Sequence, residues 1–188
     1  MSKVQFVQSA SRWQQFPASG RPQVAIAGRS NSGKSPFINA MAGQKVAKVS
    51  GTPGKTRLLN IFDVEKKFWL VDMPGYGYAA RSHKERGDWE KMIEDYLLNC
   101  EQLRGLVLLM DIRRKWSDEE SMLLDFCYAQ DLKVAVGLTK ADKLSRSKYL
   151  AVAKALEKQL GVPCMPLSSL KKWGIRDLTG HILQQWIS

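Results

Sequence analysis

Apolar and polar positions change rhythm along the chain, and the changes delimit its elements. Gln23 to Ala27 is a short run of apolar and β-branched residues and predicts a strand. Ser35 to Ala42 predicts a helix. Leu58 to Val64 and Phe68 to Met73 predict two strands joined by the charged turn Glu65-Lys66-Lys67. From Asp88 to Cys100 the period is helical, with Trp89, Met92, Ile93, Tyr96 and Leu97 on one face. Leu106 to Asp111 and Lys133 to Thr139 read as buried strands, Asp118 to Ala129 and Ser147 to Leu160 as helices, Val162 to Leu167 as a short strand, and Ile175 to Ile187 as a closing helix. Strands alternating with helices in this way imply βαβ units: an α/β fold with a mostly parallel sheet, helices on both faces, and one antiparallel strand from the hairpin. Residues 1–20 show no strong periodicity and end in Pro17-Ala18-Ser19-Gly20, so they read as an extension packing on or leading into a single domain over 21–188.

The composition of the 188 residues fits one globular domain. The longest apolar runs, such as Leu106 to Met110, fall far short of the roughly 20 residues that span a bilayer. The opening MSKVQFVQSASRWQQ lacks the apolar centre of a signal peptide, so a cytoplasmic protein without membrane insertion is expected. Cys100, Cys127 and Cys164 are odd in number and far apart, which predicts free thiols in a reducing compartment. Only two histidines are present, which disfavours a His-based metal site or a Ser-His-Asp triad. The one unusual number is charge: 29 Lys and Arg against 18 Asp and Glu give +11, which directs attention to anionic partners.

The chemistry begins with Gly28-Arg29-Ser30-Asn31-Ser32-Gly33-Lys34-Ser35, a G-x-x-x-x-G-K-[ST] loop between a predicted strand and a predicted helix. Glycines let the backbone wrap a phosphate, and the N–H groups converge as a nest at the helix start. Lys34 would reach the β- and γ-phosphates and the Ser35 hydroxyl would bind Mg²⁺. Asn31 has two readings: an amide ligand for a monovalent cation such as K⁺, or a brace for the loop. Asp72-Met73-Pro74-Gly75 is a D-x-x-G at a strand end, with Asp72 on Mg²⁺ through water and the Gly75 N–H facing the γ-phosphate. Thr56, in Thr52-Pro53-Gly54-Lys55-Thr56, is the candidate for a second hydroxyl on Mg²⁺. Thr139-Lys140-Ala141-Asp142 selects the base, because a carboxylate can accept from guanine N1–H and N2–H₂ together and adenine offers neither donor there.

Taken together, GRSNxGKS, TPGKT, DMPGYGYA, TKADK and Leu167-Ser168-Ser169-Leu170-Lys171-Lys172 resemble the EngB (YihA/YsxC) family of bacterial ribosome-assembly GTPases over about residues 5–188. The resemblance implies a Ras-like P-loop G domain with a six-stranded sheet, and a monomer that hydrolyses GTP to GDP and phosphate. Its GTP-binding residues would be 28–35, Gly54, Lys55, Thr56, Arg57 and Leu58, then Asp72, Met73, Pro74 and Gly75, Thr139 to Asp142, and Leu167, Ser168 and Ser169, whose backbone approaches the guanine O6. Lys34, Thr56 and Gly75 would serve turnover. The implied partner is the precursor of the large ribosomal subunit and its rRNA, with a link to cell division and septation.

Two residues stand out against this pattern. Pro36 occupies a position that is usually Ser in the family, and it removes an N–H that normally meets the α-phosphate. Proline also biases Ser35 away from helical angles, although the first helical turn tolerates it. Tyr76 follows D-x-x-G where Ras-like enzymes carry a water-positioning Gln, so slow intrinsic turnover, accelerated by a partner, is expected. The excess cations follow strand ends: Arg81, His83, Lys84 and Arg86; Arg113, Arg114 and Lys115; Lys143, Arg146 and Lys148; Lys171 and Lys172. A basic rim of this kind suits rRNA phosphates, with Trp116 and Trp173 as candidates to stack on bases. Two other readings stand beside the GTPase: a nucleotide-impaired rRNA-binding module in which Pro36 has removed turnover, and a P-loop kinase or ATPase, which TKAD opposes.

Overall fold

The computed structural model describes residues 3–48, 58–76 and 83–187. Seven strands form one sheet in the order β1-β3-β4-β2-β5-β6-β7. They are β1 (Val4–Ala10), β2 (Gln23–Ala27), β3 (Leu59–Val64), β4 (Phe68–Asp72), β5 (Leu103–Asp111), β6 (Lys133–Thr139) and β7 (Cys164–Pro166). β3 runs antiparallel to both of its neighbours, and β4, β2, β5, β6 and β7 pair in parallel. The sheet thus has the single reversed strand that the hairpin predicts. It has one strand more than the six expected, because residues 4–10 form an edge strand on β3. That strand escapes a periodicity reading for a physical reason. Only Val4 and Ala10 of β1 are buried, and its register shifts between Phe6 and Gln8, so no period-two alternation reaches the sequence.

The β3–β4 turn holds Glu65 and Lys66 at φ 54° and 58° without a glycine. The Asp63 carboxylate accepts from the Lys66 N–H at 2.8 Å, which stabilises this left-handed pair. The helices are α1 (Lys34–Ala42), α2 (His83–Asn99), α3 (Asp118–Ala129), α4 (Arg146–Leu160) and α5 (Ile175–Ile182), the last followed by a wider turn over Leu183–Ile187. One face of the sheet carries Tyr96 and Leu97 of α2, Leu124 and Cys127 of α3, and Ala153 and Leu156 of α4. The other carries Phe37 and Ile38 of α1 with Leu178, Ile182 and Trp186. All three cysteines are buried as free thiols.

With apolar side chains on both sides, every residue of β2 and β4 is buried. β2 is central: the chain leaves it through α1 toward β3, and β5 returns on its other side. Such a reversal opens a crevice at the carboxyl ends of the strands, where α/β sheets take their ligands.

Candidate functional site

The loop after β2 closes on itself. The Ser32 N–H donates to the Arg29 carbonyl at 3.0 Å, and the Lys34 ammonium donates to the Gly28 carbonyl at 2.9 Å. Gly33, at φ 98°, caps α1 in a backbone region that side chains rarely enter. A Cβ on Gly28 would lie 2.4 Å from the Leu109 carbonyl oxygen, so only glycine fits against β5 there. Asn31 takes a left-handed φ of 65°.

Pro36 is the third residue of α1, and the first intrahelical bond runs from the Phe37 N–H to the Gly33 carbonyl at 2.9 Å. No residue before Phe37 has an N–H used by the helix, so proline costs α1 no internal hydrogen bond. Ser35 lies within the helix despite the proline after it. Tolerance of proline in a first turn, rather than displacement of Ser35, is therefore the outcome. What Pro36 withholds is one donor at the open end of the helix.

At the end of β4, Asp72 is buried and its Oδ1 has no hydrogen-bond partner among the described residues. Burial pushes its carboxyl up to about 6; the nearby Lys34 ammonium and a hydrogen bond from the Asn60 side chain act the other way. A buried carboxylate oxygen without a partner among the described residues, near the Lys34 ammonium, fits a divalent cation, which would favour the ionised form. Gly75 packs directly on the phosphate loop. A Cβ there would sit 3.1 Å from the Lys34 Nζ and 3.1 Å from the Ser30 nitrogen. The Ser30 N–H donates to the Tyr76 carbonyl at 3.0 Å, which fastens the D-x-x-G end to the loop. Tyr76 itself is buried, and its hydroxyl donates to Glu120 Oε1 of α3 at 3.1 Å. Burial first, and then the Glu120 carboxylate, hold that phenol far above its ordinary pKa.

The base end is tied to the phosphate end by three side chains. The Thr139 hydroxyl donates to the Ser32 carbonyl at 2.6 Å. Lys140, at φ 56°, donates from Nζ to the Asn31 carbonyl at 3.0 Å and pairs with Asp111 at 3.0 Å. Asp142 accepts from the Ser168 hydroxyl at 2.5 Å, and the Ser168 oxygen accepts in turn from the Lys171 N–H at 3.0 Å. Leu167 is buried, and its carbonyl accepts from the Ala141 N–H at 3.1 Å, which sets residues 167–169 beside 139–142. The structure thus brings together 28–35, 72–75, 139–142 and 167–169. Leu58 is half-exposed just before β3, while Gly54, Lys55, Thr56 and Arg57 lie outside the described residues.

Sequence reasoning missed Asp111. It accepts from Arg113 at 2.9 and 2.7 Å, and this pairing, reinforced by Lys140, holds its carboxyl far below the usual carboxylate range. It also missed the inward role of Glu120. The Ser117-Asp118-Glu119-Glu120 spacing announces a capping box, but nothing in it announces Tyr76. Of the basic rim, Arg113, Arg114, Lys115, Lys143, Arg146, Lys148, Lys171 and Lys172 are exposed. Arg81 lies outside the described residues, and only the backbone of His83, Lys84 and Arg86, at the start of α2, is described. Among the described residues no helix is long and apolar enough to cross a membrane.

A phosphate loop with a lysine, a D-x-x-G packed against it and a T-K-x-D strapped to its back define a P-loop GTP-binding protein of the α/β class. Comparison narrows the class. Residues 23–140 match the family model of the 50S ribosome-binding GTPase. The chain is 50% identical over 185 residues to a probable GTP-binding protein EngB of Bdellovibrio bacteriovorus, covering 98% of this chain and 92% of the relative. It is 43% identical over 182 residues to the protein of the same description in Streptococcus pyogenes serotype M18, covering 94% and 92%. The chain belongs to the EngB family of GTP-binding proteins. Among solved structures, a probable GTP-binding protein EngB superposes with a TM-score of 0.69 at 23% identity, over 86% of this chain and 97% of that one. Aquifex aeolicus Era bound to GDP and AlF4⁻ superposes at 0.71 and 24% identity, over 88% and 57%. At those identities the two structures speak for the fold alone.

Proposed function

We propose that the protein is a GTP-dependent switch in late assembly of the large ribosomal subunit, acting in the cytoplasm as a monomer, with the link to cell division and septation that the family resemblance implies. The observation that carries the nucleotide part of this reading is the strap from Thr139 and Lys140 to the Ser32 and Asn31 carbonyls. It joins base recognition and phosphate binding into one rigid cradle. In this reading Asp142, steadied by Ser168, accepts from the guanine edge, and the backbone at Leu167 to Ser169 meets the O6. The N–H groups of 29–35 and the Lys34 ammonium hold the phosphates. Ser35 and Thr56 would hold Mg²⁺ directly and Asp72 through water; the ion, when bound, neutralises charge on the β- and γ-phosphates. Gly54, Lys55, Arg57 and Leu58 would complete the cover over the phosphates, with Met73 and Pro74 shaping the approach to Gly75.

Slow intrinsic turnover follows from Tyr76. Its hydroxyl is committed to Glu120 in a buried setting, so it is not offered to an attacking water. A ribosomal partner, with K⁺ beside Asn31, would supply the missing acceleration. The basic rim favours rRNA as that partner's contact surface. A protein of the same fold, Era, was solved in complex with a 16S ribosomal RNA segment, with a TM-score of 0.70. Pro36 favours a second reading, a ribosome-binding module with impaired nucleotide affinity. GTP turnover measured with and without large-subunit precursors, in K⁺ and in Na⁺, separates the two. Stimulation by the particles in K⁺ is expected. Equal rates in all four conditions would refute the switch, and an absence of guanine-nucleotide binding would favour the module.

A further inference from the structure

The segment between β5 and α3 is fastened at both ends to the nucleotide site. At its start, Asp111 holds Arg113 through two hydrogen bonds and pairs with Lys140, whose ammonium also reaches the Asn31 carbonyl. At its end, Glu120 is 3% exposed. Its Oε2 accepts from the Ser117 N–H at 3.1 Å and from the Ser117 hydroxyl, and its Oε1 accepts from Tyr76. Glu119 pairs with the Arg29 guanidinium of the phosphate loop, and Arg29 bridges to Tyr76 through the backbone. Between these anchors Arg113, Arg114 and Lys115 are exposed, and the Trp116 indole, half-buried, donates to the Ser121 hydroxyl at 2.8 Å.

We propose that residues 113–116 are a nucleotide-sensing contact for the phosphates of an RNA strand, coupled to the γ-phosphate through Gly75, Tyr76 and Glu120; this rests on the rRNA reading above. Three adjacent cations beside an indole suit a ribose-phosphate backbone. Of the neighbouring carboxylates, Asp111 is engaged by Arg113 and Lys140, Glu119 by Arg29, and Glu120 by Tyr76 and Ser117, which leaves Asp118 as the exposed acid beside the segment. Tyr76 follows Gly75 directly, so a shift of the Gly75 N–H toward a γ-phosphate pulls on a buried phenol. That phenol either drags Glu120 with it or breaks the bond, and in both cases the start of α3 is reset. The cations at Lys171 and Lys172 lie on the other side of the cradle. They connect through Ser168 to Asp142 and so report the base, which GDP and GTP share. Among the described residues, the 113–116 segment is joined at its far end through Ser117, Glu120 and Tyr76 to the residue after Gly75, while its near end meets the base side through Asp111 and Lys140.

The test is binding of purified large-subunit rRNA to the full chain, loaded with GDP or with a non-hydrolysable GTP analogue, across a salt series. The wild type should differ between the two states by a factor in the range of about 5 to 150. Tyr76→Phe and Glu120→Gln should each shrink that factor by about 2- to 13-fold, the net worth of one hydrogen bond. Arg114→Ala with Lys115→Ala should flatten the salt slope by about 0.7 to 0.9 per lost phosphate contact in the tighter state, whereas Lys171→Ala with Lys172→Ala should weaken both states alike. Thermal unfolding midpoints near wild type show that each variant is folded; where Tyr76→Phe fails to fold, Glu120→Gln alone decides the relay. State-independent RNA affinity in the wild type, or an undiminished factor in both relay variants, overturns the coupling. Binding to ribosomal particles that depends on Arg114 and Lys115 while naked rRNA is ignored overturns RNA as the occupant in favour of an acidic protein. No affinity for rRNA or for particles overturns the rRNA reading itself.

Discussion

Replacing Pro36 with Ser should tighten GDP and GTP together while slightly loosening the empty protein. The perturbation is narrow, because α1 makes its first internal hydrogen bond at Phe37 and Ser35 is already helical. No helix bond is gained and no turn has to be rebuilt. The new N–H lies in the first turn of α1, where a charged phosphate oxygen accepts it. A hydrogen bond to a charged group contributes about 1.5–3 kcal/mol, which corresponds to about 10- to 150-fold in affinity. The α-phosphate is common to both nucleotides, so the gain should be equal for the two. In the empty protein the sign reverses. Proline restricts the unfolded chain, and losing that restriction costs about 0.4–1 kcal/mol. Titration of nucleotide-free wild type and Pro36→Ser with fluorescent GDP and GTP, paired with thermal unfolding in the absence of nucleotide, measures both terms. Equal affinities in the two proteins, or a gain confined to GTP, would refute the reasoning.

Three further outcomes are expected. Asp72, pushed up to about 6 by burial, titrates above its unfolded value, so its effect on the empty fold is most favourable at low pH and is lost as pH rises through about 6. Mg²⁺ prefers the ionised form, so the Mg²⁺-dependent part of GDP affinity should fall about tenfold from pH 7 to pH 5, a trend that Asp72→Asn should abolish. Gly75→Ala brings a methyl group to 3.1 Å from Lys34 Nζ and should cut GTP turnover by about tenfold or more, with GDP affinity changing less; single-turnover kinetics reads the difference. Ser168→Ala removes the donor that steadies Asp142 and should weaken both guanine nucleotides by about 2- to 13-fold, visible by calorimetry.

The parts of the fold that sequence reveals are those where both faces of a strand, or one face of a helix, are buried. β2, β6 and α3 have the limits that periodicity predicts, because burial leaves an unbroken apolar record there. β1 leaves no such record, since its side chains lie mostly in solvent and a register shift breaks its alternation. The end of the last helix is blurred differently: the apolar spacing continues to Ile187, but the backbone widens after Ile182. At the site, the glycines and the lysine are legible because phosphate binding demands those residue types at fixed spacing. Thr139 and Lys140 are legible as part of TKAD but their bonds to the Ser32 and Asn31 carbonyls are not, and Asp111 and Glu120 are ordinary residues whose roles arise only when segments distant in sequence are set side by side.

The edge strand also bears on how the chain comes off the ribosome. β1 is made first but can pair only with β3, and β3 itself needs β4 before it joins the central strands. During synthesis at about 5–20 residues per second, residues 4–10 therefore wait several seconds for a partner. The register shift between Phe6 and Gln8 makes them an irregular template for pairing with other chains in that interval. The strand that closes this sheet on one side is translated before the other six and stays unpaired until β3 and β4 have followed it.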